Sequence, residues 1–155
     1  MQGKTDYLIV GASGKIGRRL CRSLTEQGFS VAGLGRFSDA SVLEELKQIG
    51  VQPVKFDVLN DDPSELPEAD TVFLEIWDRG HIFDENLETL WDLNLHGVGK
   101  VVKHYAGRAK IINGSTGDVY SPAADHAMRE SDRPMPVSNY GLARLCQEKL
   151  IDFLC

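Results

Sequence analysis

Short apolar runs alternate along this chain with longer stretches in which apolar side chains recur every three or four positions. The short runs, residues 7–10, 30–34, 51–56, 71–76 and 110–113, predict five β-strands. The longer stretches predict helices. Residues 15–27 place Ile16, Leu20 and Leu24 on one face and arginines on the other, with Gly28 as the stop. Residues 41–49 form a second helix closed by Gly50, and residues 84–105 a long periodic one despite Gly97 and Gly99. Residues 138–155 form the last, with Leu142, Leu145, Cys146 and Phe153 as its core contacts. Between them, residues 57–68 are polar and hold Pro63 and Pro67, so a loop with at most a short helix is expected. Residues 114–137 are rich in Gly, Ser, Asp and Pro, a loop length that in compact domains usually serves function. Strand–helix alternation of this kind predicts an α/β domain, a parallel sheet with helices on both faces.

The turn from the first strand into the first helix reads Gly11-Ala12-Ser13-Gly14-Lys15-Ile16-Gly17. Glycines there let the backbone approach a diphosphate closely and let helix and strand pack tightly, while the helix N-terminus aims N–H groups and partial positive charge at the phosphates. A nucleoside-triphosphate loop is excluded, because Ile9 stands where its first glycine is required and Ile16 where it needs Ser or Thr. Residues 1–155 therefore predict one dinucleotide-binding domain of the Rossmann type, a three-layer fold with strand order 3-2-1-4-5. A sixth strand is normal beside the fifth in that fold, and none remains to form it; the apolar ending Phe153-Leu154-Cys155 suggests a clipped sequence. The second strand ends Leu34-Gly35-Arg36, so the position that would read the adenosine ribose is basic. An arginine there meets a 2′-phosphate and favours NADP over NAD, although the nearby Asp39 keeps NAD in play.

Composition narrows the partners. The 155-residue chain is 42% hydrophobic and carries a formal charge of −6, which argues against a nucleic-acid or anionic-membrane surface. Its first apolar stretch is too short for a signal-peptide core or a membrane span. Cys21, Cys146 and Cys155 lack zinc-site spacing and read as reduced thiols of a cytoplasmic protein. His81, His96, His104 and His126 share no helical face at metal-binding spacing, so no metal is expected. The fifth strand, with Ile111 and Ile112, would leave an apolar sheet edge that invites self-association, a homodimer being one form of it.

With these residues in place, the sequence resembles the extended short-chain dehydrogenase/reductase family, the NAD(P)-dependent sugar epimerases and dehydratases. Gly11, Gly14 and Gly17 correspond to that family's loop, Asp57-Val58 to its adenine-contacting segment, and Asn94 with Gly97 to its Asn-x-x-Gly. Ser115-Thr116-Gly117-Asp118-Val119-Tyr120 looks like its Ser-Thr-x-x-Val-Tyr, and Tyr140 with Arg144 stands at its Tyr-x-x-x-Lys. The resemblance implies a hydroxyl/carbonyl oxidoreductase or epimerase working on a small molecule such as a nucleotide sugar. It implies catalysis by Thr116, Tyr140 and Arg144, and a cofactor held by Gly11, Ser13, Gly14, Lys15, Ile16, Gly17, Arg36, Asp57, Val58, Asn94, Tyr140 and Arg144. Residues four apart on a helix are neighbours, so a cation at 144 would favour the Tyr140 phenolate.

Three positions depart from the family pattern. Arg144 replaces lysine and cannot relay a proton as an ammonium can. Leu74-Glu75-Ile76-Trp77 stands where small residues usually line the cofactor. Gly117 occupies a place that is acidic in the sugar-nucleotide dehydratases, which argues against that dehydration. A cofactor-binding module or fragment without turnover is therefore the rival reading, favoured by Arg144 and the missing strand.

Overall fold

A computed structural model describes residues 3–76, 87–121 and 126–155. Five parallel strands form one sheet in the order β3-β2-β1-β4-β5: β1 is Thr5–Val10, β2 Val31–Gly35, β3 Gln52–Lys55, β4 Ala69–Leu74 and β5 Lys110–Asn113. Chain order runs outward from β1 to β3 on one side and then returns to β4 and β5 on the other. The reversal falls between β1 and β4, where Val10 lies level with both Leu34 of β2 and Leu74 of β4. In open α/β sheets such a switch point leaves a crevice at the carboxyl ends of the strands.

Alternation along β1 explains why its run is wholly apolar. Leu8 and Val10 point to one face, with Leu34, Val72, Leu74 and, from the helical layer, Val98, Val101 and Val102. Ile9 points to the other, with Cys21, Leu24 and Leu46. A sheet covered on both faces has no solvent side to mark with polar residues. Pro53 in β3 removes a ladder donor, which is tolerated because β3 is an edge strand.

Helix α1 (Lys15–Glu26) buries Gly17, Cys21 and Leu24, whereas Ile16, expected inward, is half exposed. The close seat of Gly17 on the loop sets the rotation of that first turn and sends Ile16 outward. Helix α2 is Ala40–Gln48. The long helix expected over residues 84–105 is seen from Leu87, its first three positions lying outside the described residues. It runs as α3 (Leu87–Trp91), a wider π turn (Asp92–Gly97) and α4 (Val98–Tyr105). Trp77 and His81 also fall outside the described residues.

Helix α5 (Asn139–Leu154) is turned differently from expectation: Tyr140, Gly141, Ala143, Arg144 and Gln147 face inward, while Leu142 and Phe153 are exposed, Phe153 by 85%. The cause lies at Gly141, whose bare α-carbon sits against the main-chain carbonyl of Asp118, where a side chain would overlap it. That contact fixes the helix's rotation, and its inward face is consequently more polar than a hydrophobic pattern can reveal.

The Tyr105 phenol is buried and donates a 2.6 Å hydrogen bond to the carbonyl of Pro67, fastening α4 to the segment that leads into β4. Tyr105→Phe keeps the ring and strands that carbonyl, so unfolding free energy should fall by about 1–3 kcal/mol with an unchanged urea m-value.

Candidate functional site

Gly11 adopts φ +91°, a left-handed conformation that favours glycine, and a Cβ there would overlap the main-chain carbonyl of Glu75. The amides of Gly11 and Ala12 both donate to the carbonyl of Leu34 at 2.9 Å, so the loop is hung from β2. Gly17 in turn packs its bare α-carbon on the carbonyl of Gly11. The turn is thereby pressed between β2, β4 and its own helix. No side chain caps α1, and its first turn holds no acid, so its N-terminal amides are left to meet something else.

Above this turn lies a cleft of about 260 Å³. Gly11, Ser13 and Gly14 form its base; Gly35 and Arg36 bound it at the end of β2, and Asp57, Val58 and Leu59 beyond β3. Glu75 and Ile76 close it at β4, with Thr89 and Leu93 from the helical layer. Six of the residues singled out in the sequence thus share one cavity: Gly11, Ser13, Gly14, Arg36, Asp57 and Val58. Lys15 and Ile16 sit exposed on the first turn of α1 and do not line it.

Each wall residue is fixed by local hydrogen bonding. The Asp57 carboxylate accepts the Leu59 amide at 3.0 Å and the Asn60 side-chain amide at 2.9 Å. Those bonds, with smaller help from Arg36 and Lys100, hold its pKa below the usual carboxylate range. Gly97 lets the helix approach so closely that a Cβ would come within 2.8 Å of Val58 Cγ2. Asn94 is fully buried on the π turn and donates to the carbonyl of Leu90 at 2.9 Å, while its Oδ1 finds no partner among the described residues. Asp39 is the N-cap of α2, accepting from the Ser41 amide at 2.9 Å, and takes no part in the cleft.

The second half of the expected constellation lies apart from this cavity. Thr116 precedes a short 3-10 turn (Gly117–Val119) and accepts the Asp118 amide at 3.2 Å. Tyr140 is buried against Leu90 and Ala143. Arg144 is fully buried, donating to the carbonyls of Gly114 and of Ile76 (3.4 Å) and to Gln147 Oε1 (2.6 Å). Burial pushes its pKa down, and the fields of Tyr140, Glu75 and Glu148 oppose that. It ties the tips of β4 and β5 to α5.

Gln147 and Gly141 were not anticipated as parts of the site, whereas Glu75 was noted as a departure at a cofactor-lining position. Gln147 bridges Arg144 to Asn113 Oδ1 at 3.1 Å, and its place three residues beyond Arg144 was the available signal. Gly141 seats α5 on the turn that follows Thr116. Glu75 lines the cleft just past the end of an otherwise apolar strand, a contrast visible in the sequence.

A model of the NAD dependent epimerase/dehydratase family matches residues 7–153. The chain belongs to that family. No curated protein sequence matches it. UDP-glucuronic acid 4-epimerase from Bacillus cereus, solved with UDP-glucuronic acid and NAD, superposes with TM-score 0.83 at 23% identity, covering 98% of this chain and 52% of that one. UDP-glucose-4-epimerase from Stenotrophomonas maltophila, with bound NAD, gives TM-score 0.82 at 23% identity, with 97% and 48% covered. An NAD-dependent NDP-hexosamine 5,6-dehydratase of tunicamycin biosynthesis gives 0.79 at 21%, with 96% and 48% covered. These identities establish the shared fold, and the chain spans about half the length of those proteins. Within the NAD dependent epimerase/dehydratase family, then, this member has an acidic residue, Glu75, in the cleft wall at β4 and a buried guanidinium, Arg144, bonded to the carbonyl of the adjacent Ile76. Among the described residues no helix is long and apolar enough to cross a membrane, and no group of acidic, His and Cys side chains could hold a metal ion.

The lowered pKa of Asp57 links the loop to pH. A group depressed in the folded state adds stability above its unfolded pKa, about 3.9, and loses it as pH falls through the folded value. The stability difference between the native protein and Asp57→Ala, measured by thermal melts, should be constant near neutrality and shrink below about pH 4.

Proposed function

We propose that this chain binds a nicotinamide adenine dinucleotide with its adenosine half in the cleft, and that it serves an epimerase or oxidoreductase acting on a hydroxyl/carbonyl carbon of a nucleotide sugar. The observation that carries the reading is the turn at Gly11–Gly17, whose glycines allow close main-chain packing and which brings the uncapped, acid-free N-terminus of α1 to the base of the cleft, where a diphosphate would lie. Arg36 and the Asp57-Val58 segment line the same cavity, on the side where an adenosine ribose and base would lie. The nicotinamide ring would supply the hydride acceptor. The bound NAD in the solved relatives supports NAD as the ligand, whereas Arg36 supports a preference for NADP. A cytoplasmic setting fits the three free thiols.

The remaining chemistry belongs to side chains of the chain. A hydroxyl has one hydrogen to give and two lone pairs. Because the Thr116 oxygen already accepts the Asp118 amide, its hydrogen remains for the substrate oxygen. Tyr140 would exchange a proton with the same oxygen. Arg144, one helical turn on, favours the phenolate electrostatically, and its bonds to Ile76 and Gly114 align the strand tips beneath the reacting groups. The full burial of Arg144 also favours a second reading, a dinucleotide-binding module without turnover.

Fluorescence titration with NADPH and NADH tests the first reading. Arg36→Ala should lose about 1–3 kcal/mol of NADPH affinity and leave NADH nearly unchanged; failure of both nucleotides to bind the native chain would overturn it. Arg144→Lys separates the two readings: turnover gained on a nucleotide sugar supports the enzyme, and nucleotide binding with continued silence supports the module.

A further inference from the structure

Glu75 is the residue of the cleft that its chemistry explains least. A diphosphate site gains from N–H donors and cations, yet here an acidic residue lines the cavity just past the end of β4. Its backbone is immovable: the Glu75 amide donates to the carbonyl of Val10 at 2.8 Å, and its own carbonyl abuts Gly11. Its side chain is wedged against β5, with Oε1 and Oε2 at 2.6 and 2.8 Å from where a Cβ on Gly114 would stand. Gly114 is what makes room for it.

We propose that Glu75 couples dinucleotide binding to proton uptake: the chain binds NAD with the Glu75 carboxyl protonated, one proton entering from solvent as the dinucleotide enters. The proposal rests on the dinucleotide reading given above. Two features of the geometry lead to it. The diphosphate brings two negative charges to the loop beside Glu75, and an ionised carboxylate in the same cleft opposes them in a site partly screened from water. The carboxylate also lacks what keeps Asp57 ionised, since no described residue donates a hydrogen bond to it.

The surrounding charges do not reverse this. From α5, Arg144 attracts the carboxylate, but its guanidinium hydrogens are directed to Ile76, Gly114 and Gln147. Tyr140 and Glu148 on the same helix act on Arg144. Arg36 and Asp57 stand across the cleft, Lys15 is exposed on the first turn of α1, and Gly11 to Gly14, Thr89, Leu93 and the end of β5 at Asn113 and Gly114 contribute no ionisable group. Partial burial already raises the Glu75 pKa above the ordinary carboxylate value, with Arg144 pulling the other way. An incoming anion pushes it further in the same direction.

The sign follows from linkage. A group whose pKa rises on binding takes up a proton between its free and bound values, and affinity falls as pH increases across that window, by at most about tenfold per unit. Calorimetric titration of the whole chain with NAD, from pH 5 to 8 and in two buffers of different ionisation enthalpy, reads both quantities. The native chain should take up close to one proton and bind more weakly as pH rises. Glu75→Gln, which keeps the shape and one donor, should bind with little pH dependence and outdo the native chain at the alkaline end by about tenfold. An equal slope in Glu75→Gln would place the proton elsewhere and overturn the proposal while leaving dinucleotide binding intact. So would the absence of proton uptake by the native chain, whatever the variant does. If NAD binds neither protein at any pH, the dinucleotide reading falls and this proposal with it.

Discussion

The whole arrangement turns on the steric contact at Gly11. Three elements converge on that one residue: β2 through the Leu34 carbonyl, β4 through the Glu75 carbonyl, and α1 through Gly17. None leaves room for a side chain. Because the contact is main chain against main chain, no neighbouring rotamer can give way. A methyl group at 11 would have to move the end of β4, and one at 17 the helix itself, and with it Cys21 and Leu24, which pack on the sheet through the same face of α1. Core packing and site geometry are therefore one constraint. The helix cannot bury its apolar residues without also aiming its N-terminus at the switch point between β1 and β4.

The two halves of the site are stabilised in different ways. At the cleft, main-chain bonds hang the glycine turn from β2, and Asp57 is held by bonds local in sequence. At the tips of β4 and β5, order comes from one long-range group. The planar fork of Arg144 can reach two strand carbonyls and Gln147 at once, which the single ammonium of a lysine serves less well. Burying a cation in that way is costly without hydrogen bonds and an opposing field. The Ile76 and Gly114 carbonyls and Gln147 Oε1 accept from its two terminal nitrogens, and Tyr140, Glu75 and Glu148 contribute the field. An arginine at this position thus holds the sheet ends through contacts that a lysine would make less completely.

The parallel sheet was legible in the sequence because strands buried on both faces must be apolar throughout, and Leu8, Ile9 and Val10 satisfy two cores at once. The phosphate loop was legible for a related reason: glycines required by main-chain contact cannot be replaced, so they stand out between a strand and a helix. The rotation of α5 was not. It is set by Gly141 against the Asp118 carbonyl, a tertiary contact, and it turns Arg144 and Gln147 inward in place of Leu142 and Phe153. Hydrophobic periodicity has no means of identifying a buried guanidinium whose partners are backbone oxygens. Ile16 went astray similarly, because the seat of Gly17, rather than the apolar pattern, orients the first turn.

Net charge is a poor guide to the cleft. A chain of charge −6 can still hold an anion, since charges beyond about 8 Å are largely screened at physiological ionic strength and the near donors decide. What matters is that the cavity contains two carboxyl groups in opposite circumstances. Asp57 receives two hydrogen bonds and is held ionised, whereas Glu75 receives none from the described residues, is partly buried, and is pushed toward its neutral form. The end of this cleft beyond β3 accordingly keeps a fixed negative acceptor. Its other end carries a group whose charge answers to whatever binds there.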